Sequence, residues 1–321
     1  VADKQLNSRV AKVYAICFSA HKMLTYVINI FLMKRRHFVQ QSMSYAGALS
    51  LSTFPYHKFV SDKKKYATDV VELGNTGIKL TRLAMGTGTR GINGESNQTR
   101  KMGIKGLGDF LHFSYDNGIL FWDSADQYGT HPHLKEALKR VPREDVTILT
   151  KTHASTEKEM KADLDRFRQE IGTDYLDMVL LHAITDGDWP EKKAGAMDVM
   201  SRAREDGIIR AHGISCHSLA ALETAAETEW VQVDLARFNP AGARMDADMP
   251  VVREVLKKMK AKGKGIIGMK VLGAGSLADR IDECLQFQLA HEFIDCFTIG
   301  QESVEQFYDL QKRIPEASVR G

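Results

Sequence analysis

Four residues with complementary chemistry fall just after three consecutive apolar runs. Asp123 and Tyr128 follow Ile119–Trp122, in Trp122-Asp123-Ser124-Ala125-Asp126-Gln127-Tyr128-Gly129. Lys151 follows Val146–Thr150, and His182 follows Met178–Leu181. A phenol with a pKa near ~10 keeps its proton at neutral pH. A lysine cation beside it favours the phenolate and pulls that pKa toward the range of a general acid. An aspartate beside the lysine keeps the amine charged and in place. A histidine can hydrogen-bond a substrate oxygen and orient it. Together the four can protonate a carbonyl oxygen while its carbon receives hydride. Each also has a plainer use: Asp123 as a loop cap, Tyr128 as a loop aromatic, Lys151 as an ion-pair partner, His182 as a core histidine. Their occurrence on consecutive run ends favours the joint chemical reading.

A fold that presents strand ends side by side must position them. Val70–Leu73, Gly74-Asn75-Thr76-Gly77 and Ile78–Leu80 read as a β-hairpin. Eight apolar runs then alternate with amphipathic stretches: Leu83–Met85, Ile119–Trp122, Val146–Thr150, Met178–Leu181, Ala211–Ser215, Val231–Phe238, Ile266–Val271 and Cys296–Ile299. Helices are expected over 155–171, starting at Ser155 with Glu157 and Glu159 in the first turn, and over 191–206, 250–262, 276–291 and 303–314. Gly207 and Gly263 read as stops, and Pro250 suits a first turn. Eight strand-helix units in this length predict an α/β fold, a parallel (β/α)8 TIM barrel over residues 67–321 with an N-terminal hairpin. The alternative is an open dinucleotide-binding sheet with G-x-G-x-x-G after its first strand. Gly86-Thr87-Gly88 is read as lacking the third glycine, so that sheet is rejected.

The net charge of +3 hides an asymmetry. Residues 1–65 hold eleven Lys/Arg against Asp3 and Asp62, a net of +9, and the rest of the chain carries −6. A mildly acidic body argues against nucleic-acid binding. Four scattered cysteines without a C-x-x-C pair argue against a zinc ribbon or a disulfide scaffold, and no metal site is expected. Residues 1–66 read as a leader and linker, unstructured or helical. The apolar run 24–33 is shorter than the ~20 residues a membrane helix needs, so no stable transmembrane anchor is expected. Arg35-Arg36, Phe38 and the uncharged stretch to residue 56 resemble a twin-arginine export signal, with Met33 as a natural start. Read that way, the protein is exported to the periplasm; read as a basic tail, the leader leaves it cytoplasmic.

Residues 70 to the C-terminus resemble the aldo-keto reductase family. The resemblance rests on Leu73-Gly74-Asn75-Thr76-Gly77, Leu83–Thr87, Phe121–Gly129 with its Asp-to-Tyr step, Thr150-Lys151-Thr152 and Leu180-Leu181-His182. It implies NADP, with NAD as the alternative, lying across the barrel mouth. It implies Tyr128 as proton donor, Lys151 and Asp123 as its tuners, and His182 as the orienting group. Ser215 and Gln232 would meet the carboxamide, with Cys216 standing where the family has asparagine. Met269 replaces the aromatic that stacks on nicotinamide. Gly86, Thr87, Lys270, Leu272, Gly273, Gly300, Ser303 and Gln306 complete the cofactor set. Glu302 and Glu305 would oppose a 2′-phosphate, with Lys270 as a compensating cation. Trp189 and His217 are the expected substrate-pocket residues. The expected partner is a small carbonyl or alcohol. A cofactor-binding sensor with little turnover, and a lyase using Lys151 as a Schiff-base amine, are the competing readings.

Overall fold

Residues of the barrel strands alternate between two apolar surroundings, and this alternation organises the molecule. The computed structural model describes residues 64–319. The arginine pair and the rest of the leader up to residue 63 lie outside the described residues.

A short hairpin comes first: β1 (Val70–Glu72) pairs antiparallel with β2 (Lys79–Thr81), as the turn residues between them predict. Eight parallel strands then close a barrel: β3 (Leu83–Gly86), β4 (Phe121–Asp123), β5 (Thr147–Thr152), β6 (Leu176–Ile184), β7 (Ile209–Cys216), β8 (Val233–Arg237), β9 (Gly265–Met269) and β10 (Cys296–Gly300). Strand β10 pairs with both β9 and β3, which completes the ring. All eight apolar runs become strands.

The outer layer contains α1 (Asn97–Asp116), α2 (His131–Leu138), α3 (Glu157–Ile171), α4 (Trp189–Lys192), α5 (Ala194–Glu205), α6 (Leu219–Glu227), α7 (Met249–Ala261), α8 (Ile281–Ala290) and α9 (Val304–Ala317). Helix α3 starts two residues later than expected. Thr156, not Ser155, is the N-cap, and it exchanges bonds with Glu159 in a capping box. The expected helix over 191–206 is split at Lys193 into α4 and α5.

Successive strand residues point to opposite faces. Ala84, Phe121, Leu149, Leu180, Ala211, Leu235 and Ile267 fill the barrel interior. Their neighbours Met85, Trp122, Ile148, Leu181, Ile214, Ala236 and Ile266 pack outward against the helices. The hairpin contributes Leu73, Ile78 and Leu80 to the interior cluster and so plugs the barrel floor. Gly74 permits this approach, since a Cβ there would lie 2.4 Å from the Gly265 nitrogen. Among the described residues no helix is long and apolar enough to cross a membrane.

The third glycine of the G-x-G-x-x-G spacing is in fact present, at Gly91. The sheet nonetheless closes, and helix α1 begins only after the Ser96 N-cap. The glycines serve a different purpose, described next.

Candidate active site

The inward positions at the C-terminal strand ends gather the chemistry. Phe121 is interior, so Asp123 is too; Leu149 leads to Lys151, and Leu180 to His182. Three strands therefore aim three polar side chains into one mouth. Tyr128 comes from a single 3-10 turn, Asp126–Tyr128, just after β4. Arg166 on α3 anchors that turn through Asp126 at 2.7 and 2.9 Å.

Lys151 is fully buried. Its Nζ donates to Asp123 Oδ1 at 2.5 Å and to the Ser124 carbonyl at 2.6 Å. Thr298 Oγ1 donates to the other carboxylate oxygen of Asp123 at 2.8 Å. The ammonium lies 4.9 Å from the centre of the Tyr128 ring. The Tyr128 and His182 rings meet edge to face at 5.8 Å, and His153 stacks on His182 at 4.9 Å. All four sequence-nominated groups thus share one cluster.

The electrostatics differ from the expectation in one respect. Burial first, and the Asp123 charge second, push the Tyr128 phenol above its ordinary value. Lys151 is paired with Asp123, and the phenol is not brought below its ordinary value. Burial also lowers the Lys151 pKa, opposed by Asp123. Burial, then the Lys151 charge, pushes His182 down to about 2, so it is neutral at physiological pH.

Two cavities meet at Tyr128. The larger, about 550 Å³, includes Gly86, Asp123, Met269, Gly300 and Gln306 in its lining and extends to Asn97 and Glu302. The smaller, about 340 Å³, includes His182, His217 and Gln127. Gly88 and Gly91 make room for the tyrosine, since a Cβ at either would come within 2.2 Å of a ring atom. Gly88→Ala is therefore expected to displace the phenol and lower turnover by ~10²-fold, with thermal stability measured alongside to exclude unfolding.

The larger cavity suits a dinucleotide. Its volume is within the range of ligand sites, ~300–1,000 Å³. Ser215 is inward-facing on β7, and its buried hydroxyl has no protein partner. Met269, Lys270 and Leu272 line the same cavity. Ser303 caps α9, accepting from the Gln306 nitrogen, and Gly273 shapes the loop after β9. At the far end Lys101 closes on Glu302 in an ion pair, and Asn97 Nδ2 donates to Glu302 at 2.8 Å. Burial opposes ionisation of Glu302, but Lys101 and Asn97 hold its pKa below the ordinary value. Glu305 is exposed outside the cavity lining. The expected repulsion of a 2′-phosphate is thus largely cancelled by Lys101.

Four nominations are corrected by strand parity and packing. Thr87 points outward, and its hydroxyl donates to the Asp123 carbonyl at 2.8 Å as a strut. Cys216 also points outward, into the helix-facing core beside Asp234. Gln232 lies below β8, at the floor end, where its Oε1 accepts from the His212 nitrogen at 3.2 Å. Trp189 is buried in the outer core beside Trp230, away from both cavities. Thr298, His153, Gly88, Gly91, Arg90, Asn97 and Lys101 were missed. Thr298 was recoverable, because it precedes Gly300 by two and so shares its face.

Asp126, His131 and Glu170 bring ligand-type atoms within 4.8 Å of one another. Arg166 bonds both carboxylates, and the two His131 nitrogens contact Glu170 and Thr150 at 2.8 Å each, which makes this an ion-pair network.

Comparison with known proteins agrees with the geometry. The family model for the Aldo/keto reductase family matches residues 82–316. A D-threo-aldose 1-dehydrogenase of a Pseudomonas species is 24% identical over 201 residues, 52% of this chain and 60% of that protein. An NAD/NADP-dependent indole-3-acetaldehyde reductase of Schizosaccharomyces pombe is 28% identical over 174 residues, 51% of this chain and 58% of that protein. The chain thus spans a little over half the length of these curated relatives. The crystal structure of an aldo-keto reductase from Klebsiella pneumoniae in complex with NADPH superposes with a TM-score of 0.61 at 19% identity, covering 81% of this chain and 92% of that one. A closed eight-stranded barrel, a buried Asp-Lys pair against a tyrosine at its mouth, and a family match from the first barrel strand into the last helix lead to one assignment: this chain belongs to the aldo/keto reductase family.

Proposed function

We propose that this protein is an oxidoreductase that reduces an aldehyde or ketone with NADPH, or oxidises the corresponding alcohol. The observation that carries the reading is the Asp123–Lys151–Tyr128–His182 cluster at the junction of two cavities. The bound nicotinamide supplies hydride to the carbonyl carbon. Gly86, Met269, Leu272, Gly300 and Gln306 would hold the dinucleotide, with the free Ser215 hydroxyl turned to its carboxamide.

Tyr128 keeps its proton until charge builds on the substrate oxygen. The alkoxide that forms as hydride arrives is the base that takes the Tyr128 proton. Lys151 then stabilises the phenolate. His182, being neutral, offers an N–H to the same oxygen without adding a charge beside Lys151. Thr298 holds Asp123 so that the carboxylate faces the amine. NADP is favoured over NAD because Lys101 neutralises Glu302 at the far end of the larger cavity.

The test is a fluorescence titration with NADPH and NADH, followed by cofactor oxidation over an aldehyde panel. Saturable binding with aldehyde-dependent oxidation is expected, with NADPH the tighter ligand. Binding with negligible turnover on every aldehyde would favour the sensor reading instead.

A further inference from the structure

The smaller cavity carries a charge that carbonyl reduction by itself does not require. Two cations line it, Arg90 and Lys270, and no Asp or Glu does. The histidines in its wall are neutral near pH 7: burial lowers His217 to about 4 and His182 to about 2. Neither cation has a salt-bridge partner among the described residues. The neighbouring acids are already engaged: Asp123 by Lys151 and Thr298, Asp126 by Arg166, Glu302 by Lys101. Another nearby cation, Arg237, is neutralised by Asp246. Arg90 and Lys270 thus bring positive charge held in no ion pair to the junction of the two cavities, both of which they line, in a concave wall where low-dielectric surroundings concentrate its field.

A second observation includes the same two residues, among six described non-glycine positions with positive φ. Both have left-handed backbone, Arg90 at φ 52 and Lys270 at φ 53, a conformation uncommon for long side chains. Strained backbone of this sort clusters at ligand clamps, where the surrounding structure holds it. Here the loop after β3 and the loop after β9 each place a long cationic side chain against one cavity, which Tyr128 also lines.

We propose that the substrate is an anionic carbonyl compound, an aldehyde or ketone bearing a carboxylate or phosphate, and that Arg90 and Lys270 select it by binding that anion. This rests on the reductase reading above and names its substrate class. The guanidinium of Arg90, at the exposed rim, presents a fork that matches two oxygens of a carboxylate or phosphate. Lys270, half-buried beside Met269, supplies the second charge deeper in the pocket. The cavity volume, about 340 Å³, is near the lower end of ligand sites, so the compound is small. The carbonyl faces Tyr128 and His182, and the anion lies toward the two loops.

The test compares kcat/KM for 4-carboxybenzaldehyde with that for 4-methylbenzaldehyde, and for glyceraldehyde 3-phosphate with that for glyceraldehyde. The charged member of at least one pair is expected to be favoured by about tenfold or more. Whichever pair shows the larger preference distinguishes carboxylate from phosphate. In Arg90→Met and Lys270→Met the preference should drop by about tenfold, chiefly through KM for the charged aldehyde. Because the ratio is taken within one variant, any change in NADPH binding cancels. Calorimetry with benzoate and benzamide in the presence of NADP gives a readout independent of turnover. Benzoate is expected to bind more tightly, and the advantage to disappear in both variants. Equal kcat/KM within both pairs, or a preference that neither variant reduces, overturns the proposal. If no aldehyde turns over yet benzoate binds through Arg90 and Lys270, the reductase reading fails and the anion site stands. If benzoate and benzamide bind alike, the anion site fails whatever the turnover.

Discussion

Tyr128→Phe is expected to lower aldehyde reduction by about 10²–10⁴-fold, the usual weight of a positioned general acid. The substitution removes one oxygen and leaves the ring. That ring fills the space left by Gly88 and Gly91 and packs edge to face on His182, so the local structure should persist. NADPH affinity is expected to stay near the parent value, because the rest of the larger cavity is untouched. A loss in kcat with intact cofactor fluorescence is therefore the expected pattern. Turnover within a few-fold of the parent would remove Tyr128 from the proton-transfer role. It would also move attention to His182, another polar group lining the same cavity.

Lys151→Met should cost stability as well as activity. The parent pair is buried: the ammonium is bonded to Asp123 and Ser124, and the carboxylate to Lys151 and Thr298. Removing the cation leaves a buried carboxylate with one side-chain hydroxyl partner in the wall of the larger cavity. Losing one member of a buried pair typically costs about 3–5 kcal/mol. For a domain of this size that lowers the melting temperature by roughly 6–20 °C. Urea denaturation should show the destabilisation, and pairing Lys151→Met with Asp123→Asn should recover part of it. Partial recovery is the sign of coupling in a double-mutant cycle. Independent, additive losses would mean that the two residues do not act as a pair.

The barrel was legible because the sequence repeats one decision eight times. Each apolar run is short, β-rich and followed by an amphipathic stretch, and all eight became strands. Boundaries moved by a residue or two where capping decided, as at Thr156. The Asp123–Tyr128–Lys151–His182 set was legible for a related reason. Its members are extreme in chemistry and stand at the ends of apolar runs, where a barrel must expose them.

Neighbouring residues on those same strands were harder to place. Ser215 and Cys216 are adjacent, yet one faces the mouth and the other the helix layer. Gln232 is close in sequence to the rim residue Leu235, but it sits at the floor end. Trp189 lies in the loop region after the His182 strand, and its ring turns into the core. Lys101, on α1, meets Glu302 across some two hundred positions of chain, a pairing no local pattern reveals.

Chain order and residue type by themselves therefore determined the repeated strand-helix architecture and the chemical content of its mouth, since hydrophobic periodicity and reactive side chains are local properties. Which face each side chain presents, how deep it sits, and whether a charge is already neutralised were decided only when the barrel closed. Closure sets strand register, and with it the period-two alternation around the ring. It also brings distant charges together, which is why Lys151 serves Asp123 while Arg90 and Lys270 have no ion pair among the described residues.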